Sequence, residues 1–231
     1  MFGGLDFPDE FFNRRYAVGL LRTYLEQDKD GYCFSGTAFD TYPAPAGTEN
    51  QITDSDLVAI AMLGIRVTGH EALWITRYHA ADIQQLLTRI PAQARIDGQT
   101  SGDLLQPDDA AWKLWALLRD VHDRTKSVRL GPVAAGKLLA RKRPELIPIA
   151  DSRTARVLNR PQPGADKRWW EDVRSASLDP KPAADGLPLW SFLASLRDEA
   201  GASHLTILRV LDILVWMHGA STDPRGEPPK P

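Results

Sequence analysis

Cysteine is nearly absent: Cys33 is the single thiol in 231 residues. A lone thiol excludes an intrachain disulfide and any iron–sulfur or structural zinc site built on cysteines. Cys33 itself lacks a nucleophile signature and is expected to be an inert thiol. The five His residues show no H-E-x-x-H or comparable spacing, so no metal is expected. No apolar run approaches the ~18 residues that suggest a bilayer span. The N-terminal stretch MFGGLDFPDEFF is acidic, unlike a secretory signal. A soluble, cytoplasmic chain with no membrane partner is the expectation. A glycine-rich phosphate loop is also missing, and no cofactor is expected.

Strand signals are scarce. Ile65-Arg66-Val67 and Leu146-Ile147-Pro148-Ile149 are short, and proline interrupts the second. What the chain does have is helical periodicity. Between Glu10 and Gln27, Phe11, Phe12, Ala17, Leu20, Leu21 and Tyr24 fall near one face. Gly31 to Gly47 reads as a loop. Thr53 or Asp54 caps a helix through LVAIAMLGI that ends near Gly64. Further helices are expected over residues 69–90, with a break, and over 110–121, 133–143, 152–159, 167–176, 190–200 and 205–218. Gly98–Pro107, Pro161–Ala165 and Pro180–Leu187 read as connections.

The class is therefore mainly α. With 43% hydrophobic residues and seven Trp, the chain can build a substantial core, either as one helical domain over 1–218 or as two packed lobes. Residues 219–231 are Pro-rich and polar, and disorder is expected there.

Charge is distributed unevenly. The chain carries a net −2, yet residues 125–160 hold nine Lys or Arg against two carboxylates, Glu145 and Asp151. A local reversal of sign of this kind suits an anionic partner such as a phosphate backbone. Lys137, Arg141, Lys142, Arg143 and Arg153 are the candidate contacts. For the run 141–143 the alternative is a solvated helix end, where cations complement the dipole. Asp151 follows an apolar run and precedes the helix SRTARVL, so it is placed to cap that helix, to act chemically, or both. Asp212 lies in the nearly all-apolar run LTILRVLDILVWM. It is expected to be buried, either paired with Arg209 three residues earlier or as a second acid in a site. Trp169-Trp170 are expected as core anchors rather than a stacking surface. Tyr32, Phe34, Phe39, Tyr42 and Trp74 remain open as pocket aromatics.

The stretch Leu130–Arg160 resembles the helix-hairpin-helix segment of the DNA glycosylase superfamily. Gly131 matches the second hairpin glycine, and Ala134-Ala135 match the small residues opening the next helix. Ile149-Ala150-Asp151 followed by Arg156-Val157 matches the turn, catalytic aspartate and Arg-Val that come after it. The resemblance implies a helical two-lobe architecture of helix-hairpin-helix glycosylase type. It implies DNA as partner, held at a phosphate by backbone amides of Gly131, Val133 and Ala134 and by Lys137 nearby. It also implies Asp151 as the catalytic residue. The chain departs from the pattern at Arg129, which replaces the first hairpin glycine, and at Val133, where lyase-active members carry lysine. Without that amine no Schiff base forms, so the implied activity is a monofunctional glycosylase hydrolysing an N-glycosidic bond. The alternatives are a non-catalytic nucleic-acid- or partner-binding module on the same scaffold, or an enzyme on free nucleosides. ITDSDLVAIAMLGI, GPVAAGKLLARKRPELIPIADS and LRVLDILVWM, spread over most of residues 30–218, resemble a bacterial family to which no activity attaches.

Overall fold

The computed structural model describes residues 1–106, 108–120, 122–123, 126–163 and 168–222, with 122–123 and 126–129 as backbone alone. The chain is mainly α. It divides into two compact units: Met1–Thr37 joined to the chain from Pro148 onward, and Ala38–Ile147.

In the first unit, α1 (Arg14–Leu25) starts four residues later than its periodicity suggests. Asp9–Phe12 forms a separate 3-10 turn, and the Asn13 side chain accepts the Tyr16 N–H at 3.1 Å to fix the true start. Ala17, Val18, Leu21 and Tyr24 bury one face, while Leu20 stays partly exposed.

The second unit begins with α2 (Asp54–Ala61), opened by a reciprocal capping box between Thr53 and Asp56. It closes on Gly64, whose φ of +77° allows the Ile65 N–H to reach back to the Ile60 carbonyl. A second capping box, Thr68 with Glu71, opens α3 (Gly69–Leu73). The expected break in the 69–90 helix is a π-helical turn, Trp74–Tyr78, after which His79 stacks on Trp74 at 3.8 Å. The chain continues as α4 (Ala80–Thr88). A short α5 (Ser101–Leu104) lies inside the stretch expected to be a plain connection. Next come α6 (Ala110–Arg119), an antiparallel ribbon of β1 (His122–Asp123) and β2 (Lys126–Arg129), and α7 (Gly131–Lys142). Gly131 opens α7 at φ +82° with Pro132 behind it. A side chain would have room at Gly131, so it is the backbone angle that favours glycine. The α6 and α7 helices pack together, and α7 also packs on α2.

Back in the first unit, α8 (Ser152–Val157) is stopped at both ends. Asp151 caps its start. Asn159, at φ +50°, lets the Arg160 N–H bond the Ala155 carbonyl at 2.7 Å. Then follow α9 (Trp169–Leu178), a small antiparallel ribbon of β3 (Pro182–Ala184) and β4 (Leu187–Pro188), α10 (Leu189–Glu199) and α11 (Ile207–Ser221). The α11 helix is apolar nearly all round, and of its residues only Trp216 and Ser221 are not buried. It forms the core of this unit, with α1, α8 and α10 against it. It runs on to Ser221, into the segment expected to be tail; residues 223–231 lie outside the described residues.

The two short strand signals, residues 65–67 and 146–149, are irregular, and among the described residues the strands fall at 122–123, 126–129, 182–184 and 187–188. Trp169 and Trp170 are buried, as core anchors should be.

Candidate functional site

The basic run is turned into the protein. Arg143 is fully buried, and its guanidinium donates to the carbonyls of Ile90 at 2.7 Å, Leu87 at 2.6 Å, Glu49 at 2.9 Å and Lys142 at 2.8 Å, and to Asn50 Oδ1 at 2.6 Å. Leu87 and Ile90 lie at the C-terminal end of α4, where carbonyls lack helical partners, so Arg143 caps that end from outside. Burial pulls its pKa down to about 10, which still leaves the group charged at neutral pH. Lys142 donates to the Thr48 carbonyl at 2.9 Å and to Asp56 Oδ2 at 3.1 Å. Arg141 donates to the carbonyls of Phe39, Asp40 and Tyr42, and its Nε lies 3.5 Å from Asp56 Oδ1. Asp56 is 1% exposed, and its carboxylate faces both cations. Three consecutive side chains thus clasp the loop 39–50 through its backbone. Lys137, buried on the same helix, donates to the Leu63 carbonyl beyond the end of α2 at 3.0 Å.

The expectation that Lys137, Arg141, Lys142 and Arg143 contact phosphate is therefore corrected. A cation withdrawn from water has to find acceptors, and these four, three buried and Arg141 half-buried, find them in their own unit. They form no solvated helix end either. Gly131, Val133 and Ala134 form the first turn of α7, with Gly131 and Val133 half-buried and Ala134 buried. The Trp115 indole N–H, on α6, donates to the Pro132 carbonyl within that turn at 3.2 Å.

The acidic candidates lie in the other unit. Asp151 is half-buried, and its Oδ1 accepts the backbone N–H groups of Arg153 at 3.0 Å and Thr154 at 2.9 Å. This is capping geometry, and it fixes the orientation of the carboxylate. Asp212, buried on α11, pairs with Arg209 one turn earlier. Arg209 also donates to the Tyr24 hydroxyl at 2.8 Å and the Gly36 carbonyl at 3.0 Å. Asp212 is thus a structural ion pair, and the expectation of a second acid is corrected. Removing Arg209 would leave a charge desolvated in the core.

Arg153 behaves differently from the other candidate cations. Its guanidinium lies 4.4 Å above the Trp216 ring. Its stem runs so close to α11 that a Cβ on Gly219 would come within 2.7 Å of Arg153 Cγ. Trp216 in turn meets Tyr24 and Phe34 edge-on, and those two rings stack at 5.3 Å. The sequence did not single out Trp216, Gly219 or Thr154. One signal was available: Trp216 follows Asp212 by four residues, one helical turn along the same stripe. No group of three or more His, Cys, Asp or Glu suited to a metal occurs among the described residues. No helix among them is long and apolar enough to cross a membrane.

The model of a family of unknown function, DUF6308, matches residues 17–219. The chain belongs to this family. The DUF6308 match runs from within α1 to near the end of α11 and so takes in both units and every candidate residue. No curated protein and no solved structure matches the chain.

Proposed function

We propose that this protein binds nucleic acid on a scaffold of helix-hairpin-helix glycosylase type, and that it hydrolyses the N-glycosidic bond of a modified or damaged base with Asp151 as the catalytic carboxylate. The observation that carries this is the setting of Asp151. It caps α8 immediately after the irregular segment that follows α7, in the chain order the resemblance requires, and α7 opens on a left-handed glycine. Two helical units also agree with a two-lobe architecture.

The chemistry suits the residue. Cleavage of an N-glycosidic bond develops positive charge on the sugar, and a fixed carboxylate beside the anomeric carbon stabilises that charge or orients water. Two backbone hydrogen bonds hold Asp151 still while this happens. Val133 offers no amine, so the reaction stops at base release without strand cleavage. The first-turn backbone of α7, at residues 131–134, serves as a phosphate contact. An enzyme on free nucleosides, or a non-catalytic module, is the alternative favoured by one observation: four of the five expected phosphate cations are engaged inside the protein.

The test is base release from duplexes carrying modified bases, alongside free nucleosides, for wild type and Asp151→Asn. Asparagine caps a helix as well as aspartate does, so the variant keeps its fold. Base release from a duplex is expected in the wild type, with a loss of roughly 100-fold or more in the variant. Full activity in Asp151→Asn would remove the catalytic assignment. Release from free nucleosides alone would establish the alternative enzyme.

A further inference from the structure

We propose that Arg153 is an oxyanion receptor which holds a phosphate group of the ligand over the Trp216 face. The carrying observation is an unsatisfied donor. Arg153 Nη1 is buried and has no hydrogen-bond partner among the described residues. By contrast, Arg14, Arg119, Arg141, Arg143, Arg160 and Arg209 each meet a carboxylate or a carbonyl. A guanidinium nitrogen withdrawn from water without an acceptor is costly, and such an orphaned donor calls for an acceptor supplied from outside. One residue on, Thr154 is 2% exposed and its hydroxyl is equally without a partner among the described residues. The first turn of α8 therefore holds two buried polar atoms that no described residue satisfies, directly after the capping Asp151.

The surroundings fix the guanidinium rather than satisfy it. Trp216 supports its face, and Gly219 gives its stem room on α11. Neither accepts a hydrogen bond from Nη1. A planar fork pre-organised in this way matches the paired oxygens of a phosphate. The half-buried Trp216, backed by Tyr24 and Phe34, adds an aromatic surface suited to a nucleoside. The ligand class is thus a phosphorylated nucleoside, either free or within a polymer. The inference rests on the proposed nucleic-acid function only for the polymeric source of the phosphate.

The test follows by NMR the indole N–H signal of Trp216, which the wild type and both variants retain. Three probes are titrated at low salt: inorganic phosphate, a nucleoside monophosphate, and a duplex carrying an abasic-site analogue. Wild type, Arg153→Gln and Arg153→Lys are compared, each with its unfolding midpoint. The expected result is a saturable shift with the nucleoside monophosphate at lower concentration than with phosphate, and affinity reduced about tenfold or more in Arg153→Gln. Arg153→Lys keeps the charge and the stem but loses the fork, and should fall in between; it is decisive if the Gln variant does not fold. No saturable shift with any probe would overturn the inference. Duplex binding unchanged in Arg153→Gln would overturn it too, while leaving the nucleic-acid function standing. A shift with the monophosphate but no duplex binding would support the receptor and remove the nucleic-acid function.

Discussion

Arg143 shows how a single side chain can reverse the meaning of a sequence pattern. Arg141, Lys142 and Arg143 look like a basic face because they are consecutive and close a helix. Consecutive residues on a helix point in directions about 100° apart, so three in a row cannot all face one ligand. Here they radiate into the loop 39–50 and the ends of α2 and α4. Arg143→Met would keep the apolar stem and strand its carbonyl partners without donors. The expected loss is about 3 kcal/mol or more in urea unfolding, because each buried acceptor left unsatisfied is costly. A variant that folds with wild-type stability yet loses duplex binding would instead mean that the guanidinium meets phosphate. The inward turn was not legible in the sequence. It depends on carbonyls about 50 to 100 residues away in the chain, which no local pattern encodes. The role of Asp151 as a cap was legible, since a short acid before a helix-forming run is a local signal.

Element boundaries follow the same division. Where capping chemistry is local, the sequence reading holds: Thr53 starts α2 and Gly64 closes its end. Where tertiary packing decides, it is silent: the weak strand signal at 146–149 falls on an irregular connection between α7 and α8, its apolar residues buried rather than paired in a sheet. The pairing of α1 with α11 also depends on a contact between distant residues. His218 of α11 shares a hydrogen bond of 2.9 Å with the Tyr16 hydroxyl of α1 and packs edge-on to Phe11. Burial lowers the pKa of this ring below its usual 6.5, with Glu10 opposing in part. The folded state thus prefers the neutral ring. Above about pH 6.5 the ring is neutral in both states and pH has no effect through it. As pH falls through that value the unfolded chain takes up the proton first, and stability declines until the folded pKa is passed. Unfolding midpoints at about pH 7.5 and about pH 5.5 should therefore differ more in wild type than in His218→Gln. Equal differences would show that His218 does not couple these two helices to pH.

At the scale of the molecule, the two-unit division is the feature that length and helical content allowed for, and the DUF6308 match spans it. The charge asymmetry of the sequence turns out to be largely architectural. Lys137, Arg141, Lys142 and Arg143 stabilise the second unit from within, which leaves Arg153 and the opening turn of α7 as the anion contacts proposed above. A chain with a net charge of −2, whose basic run at 137–143 is engaged inside its own unit, should neutralise few phosphates. The most direct measurement is binding of a labelled duplex with an abasic-site analogue across a salt series. Measurable binding with a shallow dependence is expected, a slope of log K against log salt of about −1 to −2, equivalent to one or two phosphates. No binding at low salt, or a steep slope of the kind that an outward-facing basic helix would give, would contradict it.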